Sequence, residues 1–86
     1  MVYYVYMLLS KSLKPVTYVG YTNNLKIRIA KHNLNLGAKS TKGYKWELIY
    51  KKRFYCKSKA LSFEYKLKKD RKERMKLIYD FEKKKS

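Results

Sequence analysis

Arg28 and His32 are the residues of this chain whose types and spacing most invite chemistry. Four positions apart on a helix, they stack on one face, one turn from each other. A guanidinium can hold a phosphate bidentately and stabilise the charge that grows in its transition state. A neutral imidazole can accept a proton or polarise a tyrosine hydroxyl. Taken singly, Arg28 reads as a solvated helical cation and His32 as a capping or core histidine. Together, and following Tyr18-Val19-Gly20, they fit a phosphate site better. Tyr6, on an earlier apolar run, is a second phenol able to reach the same place.

Glu64 is the other informative residue. Residues 1–69 hold only two acids, Glu47 and Glu64, and the second falls on an apolar helical face with Ala60, Leu61 and Leu67. A lone buried carboxylate is costly unless it is paired or coordinates a metal. One reading is an ion pair with a lysine or with Arg28. The other is a ligand for one hard divalent ion, Mg²⁺-like, that keeps several waters and takes substrate phosphate oxygens. Walker loop, dinucleotide fingerprint, Ser/His/Asp triad and carboxylate pair are all missing, which argues against nucleotide-driven, dinucleotide-dependent and glycosidase chemistry.

Several elements must position these side chains. Residues 2–9 are apolar on both alternations, as a central strand covered on both faces would be. Residues 10–15 read as a turn, and residues 16–20 as a returning strand, so the two form an antiparallel hairpin with Tyr6 near Tyr18. Thr22, Asn23 and Asn24 favour a helix N-cap, and the helix is expected to run to about Leu36. Its apolar residues fall in two stripes, Ile27/Ala30/Leu34 and Leu25/Ile29/Leu36, with Arg28 and His32 between them. Residues 37–45 carry two glycines and three lysines and read as a mobile basic loop. A third strand is expected over 46–55, with Leu48, Ile49, Tyr50 and Phe54 as its core. Ser58 is expected to cap a second helix to about Lys69, and Asp70 with Glu73 to box the start of a third. Met75, Ile78, Tyr79 and Phe81 would form the packing side of that third helix. The expected fold class is α+β, a small three-stranded antiparallel sheet flanked by helices in the order ββαβαα. One domain is expected over 1–82, with a frayed basic tail over 83–86.

Charge narrows the partner. Lys plus Arg number 23 against 6 acids, a formal +17, and such a field draws polyanions, above all nucleic acid. Lys39, Lys42, Lys45, Tyr21 and Lys68 are the candidate nucleic-acid contacts. No apolar run approaches the roughly 18 residues of a membrane span, so no membrane partner is expected. Residues 2–9 are too short and too rich in tyrosine for a signal peptide. A single cysteine, Cys56, rules out an internal disulfide and suits a reducing compartment, so the expected location is cytoplasmic and nucleoid-associated. One Cys and one His also leave no zinc site.

In this order the pieces resemble the GIY-YIG nuclease superfamily, particularly its small standalone bacterial members and the nuclease domains of its structure-specific endonucleases. Tyr4-Val5-Tyr6 stands at the first motif and Tyr18-Val19-Gly20 at the second; Gly20 to Asn33 matches the arginine helix, and Ala60 to Lys68 the glutamate stretch. The resemblance covers about residues 2–80. It implies a divalent-metal-dependent DNA endonuclease leaving 5′-phosphate and 3′-hydroxyl ends, selective for branched or single-stranded DNA, with a role in repair or recombination. It implies Tyr18 as general base or its close helper, Tyr6 hydrogen-bonded in the same site, and His32 assisting the tyrosine. Arg28 would steady the transition state, and Glu64 would bind one Mg²⁺ or Mn²⁺ ion. The chain departs from the pattern at Tyr4, where the first motif has glycine, at Tyr21, where many relatives have lysine, and at Lys76, where several have asparagine. Two competing readings are a non-catalytic basic nucleic-acid-binding module on the same fold and an RNA-associated protein. With no second domain to aim it, target choice would rest on the fold, a partner protein or a homodimer.

Overall fold

The computed structural model describes residues 1–85. Strands β1 (Tyr3–Ser10), β2 (Thr17–Thr22) and β3 (Trp46–Phe54) form one antiparallel sheet in the order β2-β1-β3. Helix α1 (Leu25–Asn33) follows β2, and helices α2 (Lys57–Lys69) and α3 (Arg71–Lys85) follow β3, so the order is the expected ββαβαα. β1 is central, and its residues from Val5 to Ser10 are all buried. Its alternation feeds two cores. Val5 and Met7 pack with Val19, Ala60 and Leu67 on the face covered by α2 and α3. Tyr6 and Leu8 pack with Trp46, Tyr18, Leu25 and Ile29 on the face covered by α1.

A β-bulge interrupts the β1–β3 ladder: Met7 pairs with Tyr50 but Leu8 with Leu48, leaving Ile49 without a counterpart. Ile49 and Tyr50 therefore both join the α2/α3 face. Along β3 the expected core residues Leu48, Ile49, Tyr50 and Phe54 are half-buried, as befits an edge strand, and Trp46 is the buried one.

Asn24 is the N-cap of α1, its Oδ1 accepting from Ile27 N at 3.2 Å. The helix stops at Asn33, short of the expected Leu36. Asn35 takes a left-handed conformation (φ 63°), Asn35 N donates to His32 O at 3.2 Å, and Leu36 N donates to Lys31 O at 2.8 Å. This is a Schellman stop with asparagine in the position glycine usually takes. Only the Leu25/Ile29 stripe packs on the sheet; Ile27, Ala30, Leu34 and Leu36 face solvent. Cys56, extended as β3 ends, is the N-cap of α2, and Ser58 already lies inside the helix, so the expected serine cap is not formed. Asp70 does cap α3, accepting from Glu73 N at 3.0 Å. α3 turns Arg74, Leu77, Ile78 and Phe81 inward, an i, i+3, i+4, i+7 stripe, while Met75 and Tyr79 are exposed. Arg74 Nη1 donates to the carbonyls of Leu67 and Lys68, closing the C-terminus of α2. Residues 83–85, expected as tail, are helical, and Lys85 Nζ reaches Glu47 Oε2 at 3.3 Å. Ser86 lies outside the described residues.

Candidate active site

The site is built on Tyr6, fully buried at mid-strand, with Gly20 opposite it across the β1–β2 ladder. Contact demands the glycine: a Cβ there would stand 2.5 Å from Tyr6 Oη and 2.9 Å from Tyr18 Cε2. Tyr18 opposes Leu8, so it meets Tyr6 on the diagonal, with ring centroids 6.3 Å apart.

His32 closes over both phenols from α1, its ring 5.9 Å from Tyr6 and 4.9 Å from Tyr18. Its Nε2 lies 2.8 Å from Tyr6 Oη, and its Nδ1 lies 3.0 Å from Thr41 Oγ1. The Thr41 hydroxyl donates to Ala38 O at 2.7 Å, so toward the ring it accepts. The imidazole proton is thereby assigned to Nδ1; Nε2 is an acceptor, and the Tyr6 hydroxyl donates to it. His32 serves Tyr6, not Tyr18. Burial, and then the nearby Arg28 charge, hold the His32 pKa below its ordinary value, so the ring is neutral at pH 7.

Thr41 carries no signal in the sequence that singles it out. Residues 37–45, expected as a mobile loop, are pinned at several points. Lys39–Thr41 forms a 3-10 turn, Asn35 Oδ1 accepts from Gly43 N at 2.8 Å, and Trp46 Nε1 donates to Thr41 O at 3.0 Å. Asn33 clamps the Trp46 backbone, accepting from its N at 2.7 Å and donating to its O at 3.3 Å. Gly37 packs flat on the imidazole: a Cβ there would overlap the ring, with His32 Cε1 at 2.9 Å.

Arg28 lies close enough to Tyr6 and Tyr18 for its charge to act on both phenols. Desolvation dominates at Tyr6 and, against the pull of Arg28, pushes its pKa up to about 12. Tyr6 is thus a neutral phenol at pH 7, its proton directed at His32 and its oxygen facing a cation. Beside Arg28 opens a groove of about 470 Å³, with Tyr21, Asn24 and Lys31 among its lining. Tyr21 stacks on Tyr3, centroids 6.2 Å apart.

Glu64 lies at the edge of the Ala60/Leu67 face of α2, close enough for its charge to raise the Tyr6 pKa further. It also pairs with Lys68, Oε2 to Nζ at 3.3 Å, the ion-pair reading of its sequence position. That pair spans i,i+4 with the lysine half exposed, a class worth about 0.3–0.5 kcal/mol, so Lys68 is easily displaced. The same contact turns Lys68 from a free nucleic-acid contact into the partner of Glu64. Among the described residues no three of His, Cys, Asp and Glu come together as a metal cluster. One carboxylate with no soft donor beside it fits a hard cation that keeps most of its own oxygen shell. Lys39, Lys42 and Lys45 are exposed on the segment that carries Thr41.

The family model of the GIY-YIG catalytic domain matches residues 2–77. The chain belongs to the GIY-YIG family. Among its relatives, the UPF0213 protein of Oceanobacillus iheyensis is 42% identical over 78 residues, covering 88% of each chain. That of Staphylococcus haemolyticus is 40% identical over 78 residues, covering 88% of this chain and 93% of the other. The solution NMR structure of the UPF0213 protein BH0048 from Bacillus halodurans is similar to this fold with a TM-score of 0.55 and 34% identity, covering 92% of this chain and 84% of that one. As a GIY-YIG domain the chain falls in a nuclease superfamily, whose members act on nucleic acid and typically use divalent metals. The assembled Tyr6, Tyr18, Arg28 and His32 lie wholly within the matched span, and so does Glu64. Among the described residues no helix is long and apolar enough to cross a membrane.

Proposed function

We propose that this GIY-YIG domain is a divalent-metal-dependent DNA endonuclease that hydrolyses phosphodiesters to 5′-phosphate and 3′-hydroxyl ends. The observation that carries the reading is the buried Tyr6 hydroxyl, donating to a neutral His32 and lying beside Arg28, which itself lines an open groove with Lys31. Tyr18, the partly exposed phenol, takes the proton of the attacking water and passes its own to the buried Tyr6 Oη, whose proton moves to His32 Nε2. The resulting imidazolium keeps its Nδ1 proton on Thr41. Arg28 opposes that imidazolium in the free protein, and an anionic phosphate against the guanidinium removes the opposition. Arg28 stabilises the extra charge on the pentacovalent phosphorus. Glu64 would hold one Mg²⁺ or Mn²⁺ ion, which offsets charge on the departing 3′ oxygen. Selectivity follows DNA shape, branching or single-strandedness, since backbone contacts carry no base sequence. The exposed lysines of residues 37–45 add such contacts. Repair or recombination in the nucleoid is the setting this chemistry fits.

The Glu64–Lys68 pair favours a second reading, a binding module of the same fold that no longer cuts. Incubation of the protein with branched, single-stranded and duplex DNA, with Mg²⁺ or with EDTA, separates the two. Cleavage that EDTA abolishes, leaving 5′-phosphate ends, supports the nuclease; tight binding with no cutting under any metal overturns it.

A further inference from the structure

We propose that Lys51 and Arg53 of β3, floored by Tyr4, form a phosphate track that holds the nucleic-acid backbone beyond the reacting phosphate. The proposal rests on the nuclease reading for what lies at Tyr6, but its own basis is the sheet register. Tyr6 faces Lys51 across the β1–β3 ladder and Gly20 on the other side; Tyr4 faces Arg53 and Thr22. Residues opposite each other in a ladder share a face, so Lys51 and Arg53 stand on the Tyr6 face of the sheet.

The bulge puts them there. Counted in unbroken alternation from Leu48, which packs on the Tyr6 face, Tyr50, Lys52 and Phe54 would follow it, and Lys51 and Arg53 would point into the α2/α3 core. The extra residue at Ile49 reverses this. Tyr50 and Phe54 join the apolar core, Lys52 Nζ lies over Phe63 on that side at 4.8 Å, and the two cations turn toward Tyr6. Re-aiming side chains next to a functional site is a recurrent use of bulges.

The cations are also uncommitted. α1 covers the Leu8 end of the face, where Leu25, Ile29 and Trp46 pack, while Lys51 and Arg53 are exposed beyond it. Among the described residues neither makes an ion pair or a side-chain hydrogen bond. Glu47 and Glu64 are taken by Lys85 and Lys68, and the remaining acids sit at or along α3. Two like charges two residues apart on one strand, about 7 Å along it, repel unless an anion lies over them. With Arg28 beside the Tyr6 hydroxyl and Lys51 one strand over, about 5 Å across the sheet, the cations line up as successive contacts for a chain of phosphodiesters. A mononucleotide would leave the outer positions empty, so the ligand class is a polynucleotide backbone.

The test is equilibrium binding of a short fluorescein-labelled DNA duplex, read by anisotropy over a range of salt, with full-length protein in EDTA so that nothing is cut. Two double variants with the same loss of charge are compared: Lys51→Ala with Arg53→Ala, and Lys72→Ala with Lys84→Ala on exposed α3 positions. The track predicts that the first pair flattens the slope of log K against log salt by about 1.8, roughly 0.9 per lost phosphate contact. The α3 pair is expected to leave the slope within error of wild type. Equal flattening by both pairs, or none by the first, overturns the proposal. Because binding is read without turnover, a wild-type chain that fails to cut counts against the nuclease reading alone. Thermal melts of both double variants check that the fold is kept.

Discussion

Thr41→Val is the substitution that most sharply isolates how the site holds its proton. Valine keeps the shape of threonine and removes only the hydroxyl, which in the native protein accepts from His32 Nδ1 at 3.0 Å and donates to Ala38 O at 2.7 Å. Ala38 O retains the Thr41 backbone N–H at 2.9 Å, so the one group stranded is the Nδ1–H of a fully buried ring. An unsatisfied buried donor costs about 1–3 kcal/mol. Taking about 2 kcal/mol, a domain of this size should lose roughly 8–16 °C in Tm. The ring has a second route: the proton moves to Nε2, which then donates to Tyr6 and no longer accepts from it. The assay is the ¹⁵N spectrum of the imidazole, which is unambiguous because the chain has a single histidine. Wild type should show Nδ1 protonated and Nε2 bare; Thr41→Val should shift toward the other form and lose cleavage, and Thr41→Ser should restore both. If Thr41→Val leaves Tm and the ring spectrum unchanged, the relay as drawn is wrong.

Other outcomes follow from the same geometry. Gly20→Ala should push the Tyr6 hydroxyl off His32, lowering cleavage by about 10²-fold or more, with about 1–3 kcal/mol of overpacking visible in denaturant melts. Arg28→Ala should cost about 10²–10³ in kcat, and Arg28→Lys should recover little because an ammonium lacks the planar fork that grips a phosphate bidentately. His32 has a depressed pKa in the folded state, so the unfolded chain binds its proton more readily. Its contribution to stability is full above about pH 6.5 and is lost as pH falls from there through the lower folded value. Wild type minus His32→Gln in Tm across that range should show this slope, and cleavage should fall on the same acid limb. Tyr6 should remain a phenol until about pH 12, so ultraviolet titration should find one tyrosine ionising later in wild type than in any Tyr6→Phe sample.

The parts of this protein that were legible beforehand are those written in short-range pattern. β1 declares itself as a doubly covered strand by being apolar on both alternations, and Asp70-x-x-Glu73 declares a helix start. Arg28 and His32 announce a shared face by their spacing. What stayed hidden depends on contacts between distant residues. The bulge at Ile49 is an outcome of register, so the parity of β3, and with it the placement of Lys51 and Arg53, cannot be counted off from Trp46. Thr41 is one hydroxyl in a lysine-rich segment until α1 brings His32 above it. α1 ends before the expected Leu36 because Leu34 and Leu36 extend the apolar period in sequence, whereas Asn35 accepts the left-handed turn that stops the helix. On α3, Met75 and Tyr79 compete in hydrophobicity with Leu77, and it is the anchoring of Arg74 on the end of α2 that fixes the rotation. Glu64 was legible as an anomaly, and the lysine one turn away shows why it tolerates its position in the free protein.

Five side chains from β1, β2, α1 and α2 are proposed to act on one phosphate, and cleavage by a matched set of folded variants tests that most directly. Wild type, Tyr6→Phe, Arg28→Ala and Glu64→Ala are purified identically, shown to melt alike, and given Mg²⁺ with the same DNA. Wild type should cut, and each of the three variants should lose cutting by about 10²-fold or more. Cutting at the wild-type rate by Arg28→Ala or Glu64→Ala would contradict this.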